Sequence, residues 1–394
     1  MIHFIKAIAQ TQLKNRSTRL NAKVVPAFFQ KPHISPYELL PSSLRIALIQ
    51  GFWGKQYLCP MASLPLLHWT PRGLYCAQGD FYIDPIRPVP RALITHAHSD
   101  HAHMGMGLYI AQEDSISILR LRLGERIQTV GLPYGVRRSI NGVNISFHPA
   151  GHIIGSAQIR VSYQGEVWVA SGDYHTLQGG YCASFEPVQC HTFLTESTFG
   201  IPTFSWTSEK LVAQDMVAWI QDNAAQGFTS ILLCYALGKA QRVSHLLQHQ
   251  IEPPFLHYSI QRVHDRLRSV HPTLPIAQPL GKSLGKIALR GKVILAPPGV
   301  LKSQWLKKLP PCKIALVTGW AGGHAKHNQS MIHRTFALSD HADWQGLIDA
   351  TIATGATQVL VNHGYTDAFS AHLGTMGLDA QPLIPSHMTQ PSLF

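Results

Sequence analysis

Seven short apolar runs between Phe81 and Val361 each end in a side chain that binds metals or moves protons. Phe81-Tyr82-Ile83 leads into Asp84, residues 91–95 into His96, and residues 143–147 into His148 and, four residues on, His152. Residues 166–171 lead into Gly172-Asp173, 191–195 into Glu196, 334–338 into Ser339-Asp340-His341, and 357–361 into Asn362-His363. Apolar and β-branched runs this short suit buried strands. Polar ligand types repeated at strand ends imply a sheet whose loops converge on one rim.

The stretch Thr95-His96-Ala97-His98-Ser99-Asp100-His101-Ala102-His103 is the densest of these ends. A core would have to satisfy every ring nitrogen in it, and a surface loop gains nothing from the crowding. A metal explains it better. His96 and His98, two apart on an extended segment, point to the same side and reach one ion. Asp100 and His101 are displaced enough to serve a second. His152 can complete the first set, His363 the second, and Asp173 can bridge both through its two oxygens. All seven donors are nitrogen or oxygen, a set that suits zinc or manganese. His103 reads as a surface or supporting histidine, and His148 as packing beneath the site.

Charge is unevenly spread. Residues 1–60 carry eight Lys/Arg against one acid, and residues 201–333 carry fifteen against five. No Asp or Glu occurs from Arg266 through Ser339, while the remaining segments are net acidic. One basic block beside an acidic remainder suggests a domain facing polyanions, the alternative being a merely solvated basic surface. The six cysteines show no CxxC spacing, which favours a reducing, cytoplasmic setting and argues against a thiolate-bound zinc. No apolar run approaches the roughly 18–20 residues of a membrane helix. The basic, amphipathic opening can mimic a transit peptide or be an upstream extension, with the folded core beginning near Met61.

Residues 201–333 read as a small α/β domain with a parallel sheet, inserted into the first domain. A helix is expected over 208–225, with Leu211, Val212, Met216 and Ile220 on its apolar stripe and Gly227 as its stop. A strand at 230–236, a second helix after Gly238-Lys239, and strands at 292–296 and 313–319 follow. Gly238-Lys239 suits phosphate binding through backbone N–H groups and one ammonium, though an ordinary turn is equally consistent. Beyond the insert, Asp343 is expected to cap a helix with Leu347, Ile348 and Ile352 on its face and Gly355 at its end.

The series HxHxDH at 96–101, His152 in "PAGHIIGS", and "SGD" ending at Asp173 resembles the motifs of the metallo-β-lactamase superfamily. "TEST" at 195–198, "LSDHAD" at 338–343 and "VNHG" at 361–364, bracketing an α/β insert, resemble its nucleic-acid-processing β-CASP branch. Over roughly residues 65–394, "GDFYIDP", "YALGKAQR" and "FALSDHADW" look most like bacterial DNA ligase-associated exonucleases. The resemblance to mRNA 3′-end processing factors and ribonuclease J is more distant. It implies an αββα sandwich formed by residues 61–200 and 334–394, with residues 201–333 as the β-CASP insert and 1–60 as a basic extension. By the same resemblance His96, His98 and His152 hold one divalent cation, zinc before manganese. Asp100, His101 and His363 hold the other, Asp173 is shared, and Asp84 orients a ligand histidine. The implied catalytic set is His341 as general acid, Glu196 hydrogen-bonded to it, and Asp100. Gly238, Lys239, Arg242 and Ser339 are the expected substrate contacts.

Three functional classes fit such a series: a nuclease, a small-molecule hydrolase and a silent nucleic-acid scaffold. A small ester needs no basic clamp, and a scaffold needs no seven ligands, so the nuclease is favoured. His363 leans towards RNA. The longer similarity leans towards DNA, and on that side the expected substrate is a single strand or strand end, with DNA ligase and a helicase as functional associates.

Overall fold

The structure, a computed structural model, describes residues 65–177, 179–281, 285–322 and 331–384. The basic extension at 1–60, Lys282 of the basic block, and His324 and His327 of the basic stretch Gly322-Gly323-His324-Ala325-Lys326-His327 lie outside the described residues, apart from Gly322.

Strands β1 (His68–Thr70), β2 (Gly73–Cys76), β3 (Phe81–Ile83), β4 (Arg91–Ile94), β5 (Leu108–Gln112) and β6 (Thr129–Leu132) form a six-stranded sheet in that order. It is antiparallel up to β3 and parallel from there on. In a second sheet, β7 (Arg138–Ile140), β8 (Val143–Pro149), β9 (Ala157–Tyr163), β10 (Glu166–Ala170) and β11 (Thr192–Ser197) are neighbours in chain order. This sheet is completed by β18 (Gln358–Gly364) beside β11, and by β19 (Asp379–Pro382) at the edge, both parallel. Between them in sequence lie β12 (Thr229–Leu233), β13 (Phe255–Leu256), β14 (Gln278–Pro279), β15 (Val293–Ala296), β16 (Cys312–Thr318) and β17 (Arg334–Ala337). They make a third sheet, parallel throughout, in the order β14-β13-β15-β12-β16-β17.

All seven motif-bearing runs are strands, but they do not share one sheet. Two lie in the first sheet, four in the second, and Arg334–Ala337 in the third. A run encodes burial; its neighbour is chosen by pairing between distant segments, which the run does not specify. The third sheet likewise extends through Ala337, past the expected boundary at 333, because residues 334–337 pair with Ala315–Thr318.

Alternation within the strands divides their side chains between two cores. Leu93 joins a buried cluster with Phe147, Ile159, Val161 and Leu194, drawn from the first and second sheets. Its neighbours Ala92 and Ile94 instead face Ile118 and Leu119 of helix α1 (Glu113–Leu123). In the second sheet, Val169, Phe193, Val359 and Val361 pack on the other side, against Leu347 and Ile348 and against Phe369 and Leu373. Those residues belong to α5 (Trp344–Ala353) and α6 (Thr366–Thr375). The third sheet has its own clusters. Leu232, Leu295, Ala315 and Val317 pack against α2 (Glu209–Ala225), α3 (Lys239–Leu247) and α4 (Tyr258–Arg268).

The caps follow the sequence. Ser208 accepts from the Leu211 N–H at the start of α2, Gly227 follows its end at φ +76°, and Asp343 accepts from the Gly346 N–H on α5. Two stripe assignments need correction. Leu211 is 56% exposed, because the buried face of α2 runs through Val212, Ala213, Met216 and Ile220. Ile352 is 54% exposed, because α5 buries Leu347, Ile348, Ala350 and Thr351. Among the described residues no helix is long and apolar enough to cross a membrane.

Candidate metal centre

The chain leaves β4 with Ile94 in the core and Thr95 and His96 still buried. The His101 and Ala102 N–H groups then turn back onto the His98 carbonyl, and Arg122 of α1 grips the Ala97 carbonyl. That turn places His96 and His98 on one side and His101 on another. His98 Nδ1 lies 3.1 Å from His96 Nε2 and 3.0 Å from His152 Nε2. Asp173 Oδ2 stands 3.5 Å from His96 Nε2 and 3.8 Å from His152 Nε2, while its Oδ1 is 3.4 Å from His101 Nε2. The donor atoms of His96, His98, His152 and Asp173 lie within 4.8 Å of one another, as do those of His101, Asp173 and His363. Asp173 belongs to both groups, and to a third with Glu196 and His341. Asp100 stands outside the tight set, 3.7 Å from His101 Nε2 with 43% of its side chain exposed.

Backbone geometry makes this convergence possible. Gly172 sits at φ +57°, and a Cβ there would come within 2.6 Å of the Thr95 side chain. Glycine therefore lets the Asp173 loop close onto the histidine loop. His363 (φ +55°) and Asp84 (φ +42°) both occupy the left-handed region, which is unusual for residues with side chains and is concentrated at functional sites. At His363 the β11–β18 register slips between Glu196 and Ser197, and Ser197 Oγ donates to the His363 carbonyl.

Whether these residues suit a cation can be judged from their outer hydrogen bonds. His152 Nδ1 donates to the Asp340 carbonyl (2.8 Å), His98 Nε2 to the Leu237 carbonyl (3.2 Å), and His101 Nδ1 to Asp84 Oδ2 (2.7 Å). Asp84 itself is held by the Thr95 N–H and hydroxyl, at 2.8 and 2.5 Å. With their outer nitrogens protonated, these rings turn lone pairs inward. The inward lone pairs of His98 and His152, 3.0 Å apart, repel unless a positive charge lies among them. Nitrogens sharing one tetrahedral zinc, at about 2.0–2.1 Å each, are spaced by roughly 3.3 Å. His101 Nε2, buried and without a hydrogen-bond partner, makes the same point for the second group. The donor set fits divalent cations.

Electrostatics agree. Burial pushes His96, His98, His152 and His363 below the ordinary histidine range, which keeps them neutral and able to ligate. Burial opposes ionisation of Asp173 too, yet the His101 and His341 cations hold its carboxyl well below the usual range. His101 is the exception, raised despite burial by Asp173 and Asp84, so a cation bound there takes the place of its second proton.

Beside this cage stands a histidine turned a different way. His341 Nδ1 contacts both Glu196 oxygens, at 3.0 and 2.9 Å, and its Nε2 comes to 4.0 Å from Asp173. Glu196 is buried and also accepts from the Tyr174 N–H (2.7 Å). Burial works against the His341 cation, but Glu196 and then Asp173 lift its pKa to about 9. Its backbone is fixed as well: Ser339 Oγ accepts from its N–H (3.0 Å), and Trp206 Nε1 donates to its carbonyl (2.9 Å).

The expected substrate contacts are placed otherwise. Lys239 and Arg242 are buried, with Lys239 Nζ 3.0 Å from Asp340 Oδ2 and Arg242 Nε 2.9 Å from Asp340 Oδ1. The Gly238 N–H is taken by Gln241 Oε1 and the Ala240 N–H by the Tyr235 carbonyl, so this helix start has no array of free donors for a phosphate. Ser339 is buried and engaged with His341. In all four residues the polar groups are engaged with other parts of the protein. Sequence alone missed Asp340, Glu209, Tyr181 and Trp206 as parts of that support. Only the adjacency of Asp340 to His341 could have signalled any of them.

No protein-family model matches the chain. It is 29% identical over 312 residues to a probable DNA ligase of Opitutus terrae, a match covering 78% of this chain and 30% of that protein. It is 26% identical over 251 residues to the endoribonuclease YSH1 of Saccharomyces cerevisiae, covering 60% of this chain and 30% of that one. An RNase J-like protein of Methanocaldococcus jannaschii is 24% identical over 191 residues, covering 42% of this chain and 45% of that protein. The chain thus spans less than half the length of each of these relatives.

Proposed function

We propose that this chain is a metal-dependent nuclease of the β-CASP branch of the metallo-β-lactamase superfamily, a reading supported by its motifs and by the relatives it matches. The observation that carries the reading is Asp173 shared by two donor clusters, with the Glu196-bound His341 beside it. His96, His98, His152 and Asp173 would hold one divalent cation, zinc before manganese, and His101, His363, Asp173 and the nearby Asp100 a second. Cations there supply Lewis acidity: they bring the pKa of water towards about 7 and offset charge gathering on phosphorus oxygens. The protein's own groups do the rest. Asp84, Leu237 and Asp340 fix the tautomers. A phosphodiester seated over Asp173 would present its leaving oxygen to His341; water, giving up a proton to solvent, would add at phosphorus as the P–O bond breaks, and His341 would give the departing oxygen its proton. Glu196 keeps that proton in place.

The first and second sheets, sharing one core and backed by α1 on one side and α5 and α6 on the other, support an αββα sandwich built, among the described residues, from 65–200 and 338–384. The parallel third sheet supports an inserted domain between them. The substrate we favour is DNA, cut exonucleolytically at single strands or strand ends during repair, alongside a ligase. The motif similarity supports this, as does the 312-residue match to a protein named a DNA ligase. RNA is the second reading, favoured by His363 and by relatives named for ribonuclease activity. End-labelled DNA and RNA, single- and double-stranded, incubated with Zn2+ or Mn2+, separate the two. Cleavage of RNA alone sinks the DNA reading, and cleavage of neither by metal-loaded protein sinks the nuclease.

A further inference from the structure

We propose that Arg242 and Lys239 are positioning residues, clamping the loops that carry His152 and His341 so that the catalytic arrangement depends on helix α3. Arg242 is 1% exposed, and all three nitrogens of its fork are engaged. Nε donates to Asp340 Oδ1 (2.9 Å), Nη1 to Glu209, and Nη2 to the carbonyls of Gly151 and His152, both at 3.3 Å. Its guanidinium lies 4.8 Å from the centre of the Tyr181 ring, whose hydroxyl donates to the same His152 carbonyl (2.7 Å). Lys239 Nζ reaches Asp340 Oδ2 (3.0 Å) and the Leu338 carbonyl (2.8 Å).

Asp340 is the hinge of this network. Its carboxylate takes both cations, its carbonyl orients His152, and the next residue is His341. The turn entering α3 adds a third link, since the Leu237 carbonyl holds His98. One short helix therefore reaches His98, His152 and His341.

Stability alone does not account for this arrangement. Packed apolar residues stabilise a core as well as a buried ion network or better, so the network needs another reason. The fork supplies one: a planar guanidinium joins two carboxylates and two ligand-loop carbonyls in a fixed geometry, and an ammonium cannot span them.

The inference rests on reading His96, His98 and His152 as ligands of one cation. To test it, Arg242→Lys and Glu209→Gln are made in the full chain and titrated with Co2+, whose visible absorption reports ligand geometry. kcat and KM are measured on a labelled oligonucleotide. Arg242→Lys should weaken one Co2+ equivalent by about 10–100-fold, the usual cost of losing a group that orients a ligand, and spare the other. It should lower kcat with KM little changed. Glu209→Gln removes only the outer brace of Arg242 and should act in the same direction, more weakly; it decides the question if Arg242→Lys does not fold. Equal weakening of both equivalents, or no change in either, overturns the positioning role. Wild-type protein that takes up no Co2+, Zn2+ or Mn2+ fails the metal reading itself, a different outcome.

Discussion

Replacing Glu196 with Gln tests the proton donor without removing an atom from the cage. The amide keeps the size and hydrogen-bonding reach of the carboxylate but not its charge. In the wild type, burial alone would push the His341 pKa down, and Glu196 and then Asp173 lift it to about 9. A cation at Asp173 cancels that carboxylate's share, so Glu196 is the cause that survives metal loading. Without it, His341 returns at least to the ordinary value of about 6.5. The sign is definite: a general acid works while protonated, so activity fades as pH rises through its pKa, and the variant loses activity at lower pH. With the full lift to about 9, the protonated fraction at pH 8.5 would fall from about three-quarters to about one in a hundred, so the loss is at most roughly 80-fold and smaller by whatever share Asp173 yields to a cation, while at pH 6 the two proteins differ by less than about twofold. The assay is kcat against pH from 6 to 9.5 at saturating metal and substrate, with metal content measured alongside. A loss of equal size at every pH, or loss of a metal from Glu196→Gln, refutes the reasoning.

Other outcomes follow from the same geometry. Asp173→Asn should release both cations together with activity, because both clusters close on that carboxylate; elemental analysis checks it. His341→Ala should keep both metals and lose about 10²–10⁴-fold in cleavage, whereas His363→Ala should weaken one metal; identical metal loss in the two would reverse their assignment. Lys239→Ala should leave the salt dependence of nucleic-acid affinity unchanged and instead lower stability by about 1–3 kcal/mol, as read by urea unfolding: Asp340 Oδ2 and the Leu338 carbonyl lose a donor in the core, while Arg242 still balances the carboxylate's charge. Neutralising the exposed Lys302, Lys307 and Lys308 should flatten the slope of log affinity against log salt, by about 0.7–0.9 for each phosphate that these lysines would otherwise neutralise.

What the sequence could determine by itself was local. Apolar runs such as Arg91–Ile94, buried on both faces, and Gln358–Gly364, along which burial alternates, specify strands, and Ser208 and Asp343 specify helix starts because each caps its own next turn. The spacing His96-Ala97-His98 already required two imidazoles on one side, and Asp173 already offered two oxygens. The partners of those groups were another matter. Sequence cannot tell that His363 turns through a left-handed backbone, that Asp84 lies 2.7 Å from His101, or that the runs divide among three sheets. The basic residues of α3 misled for the same reason. Lys239 and Arg242 looked like ligands for phosphate because charge is normally solvated. Asp340, almost a hundred residues further along the chain, gives them a buried counter-charge instead. An ion pair's burial depends on which distant segment arrives to neutralise it, and only the tertiary structure decides that.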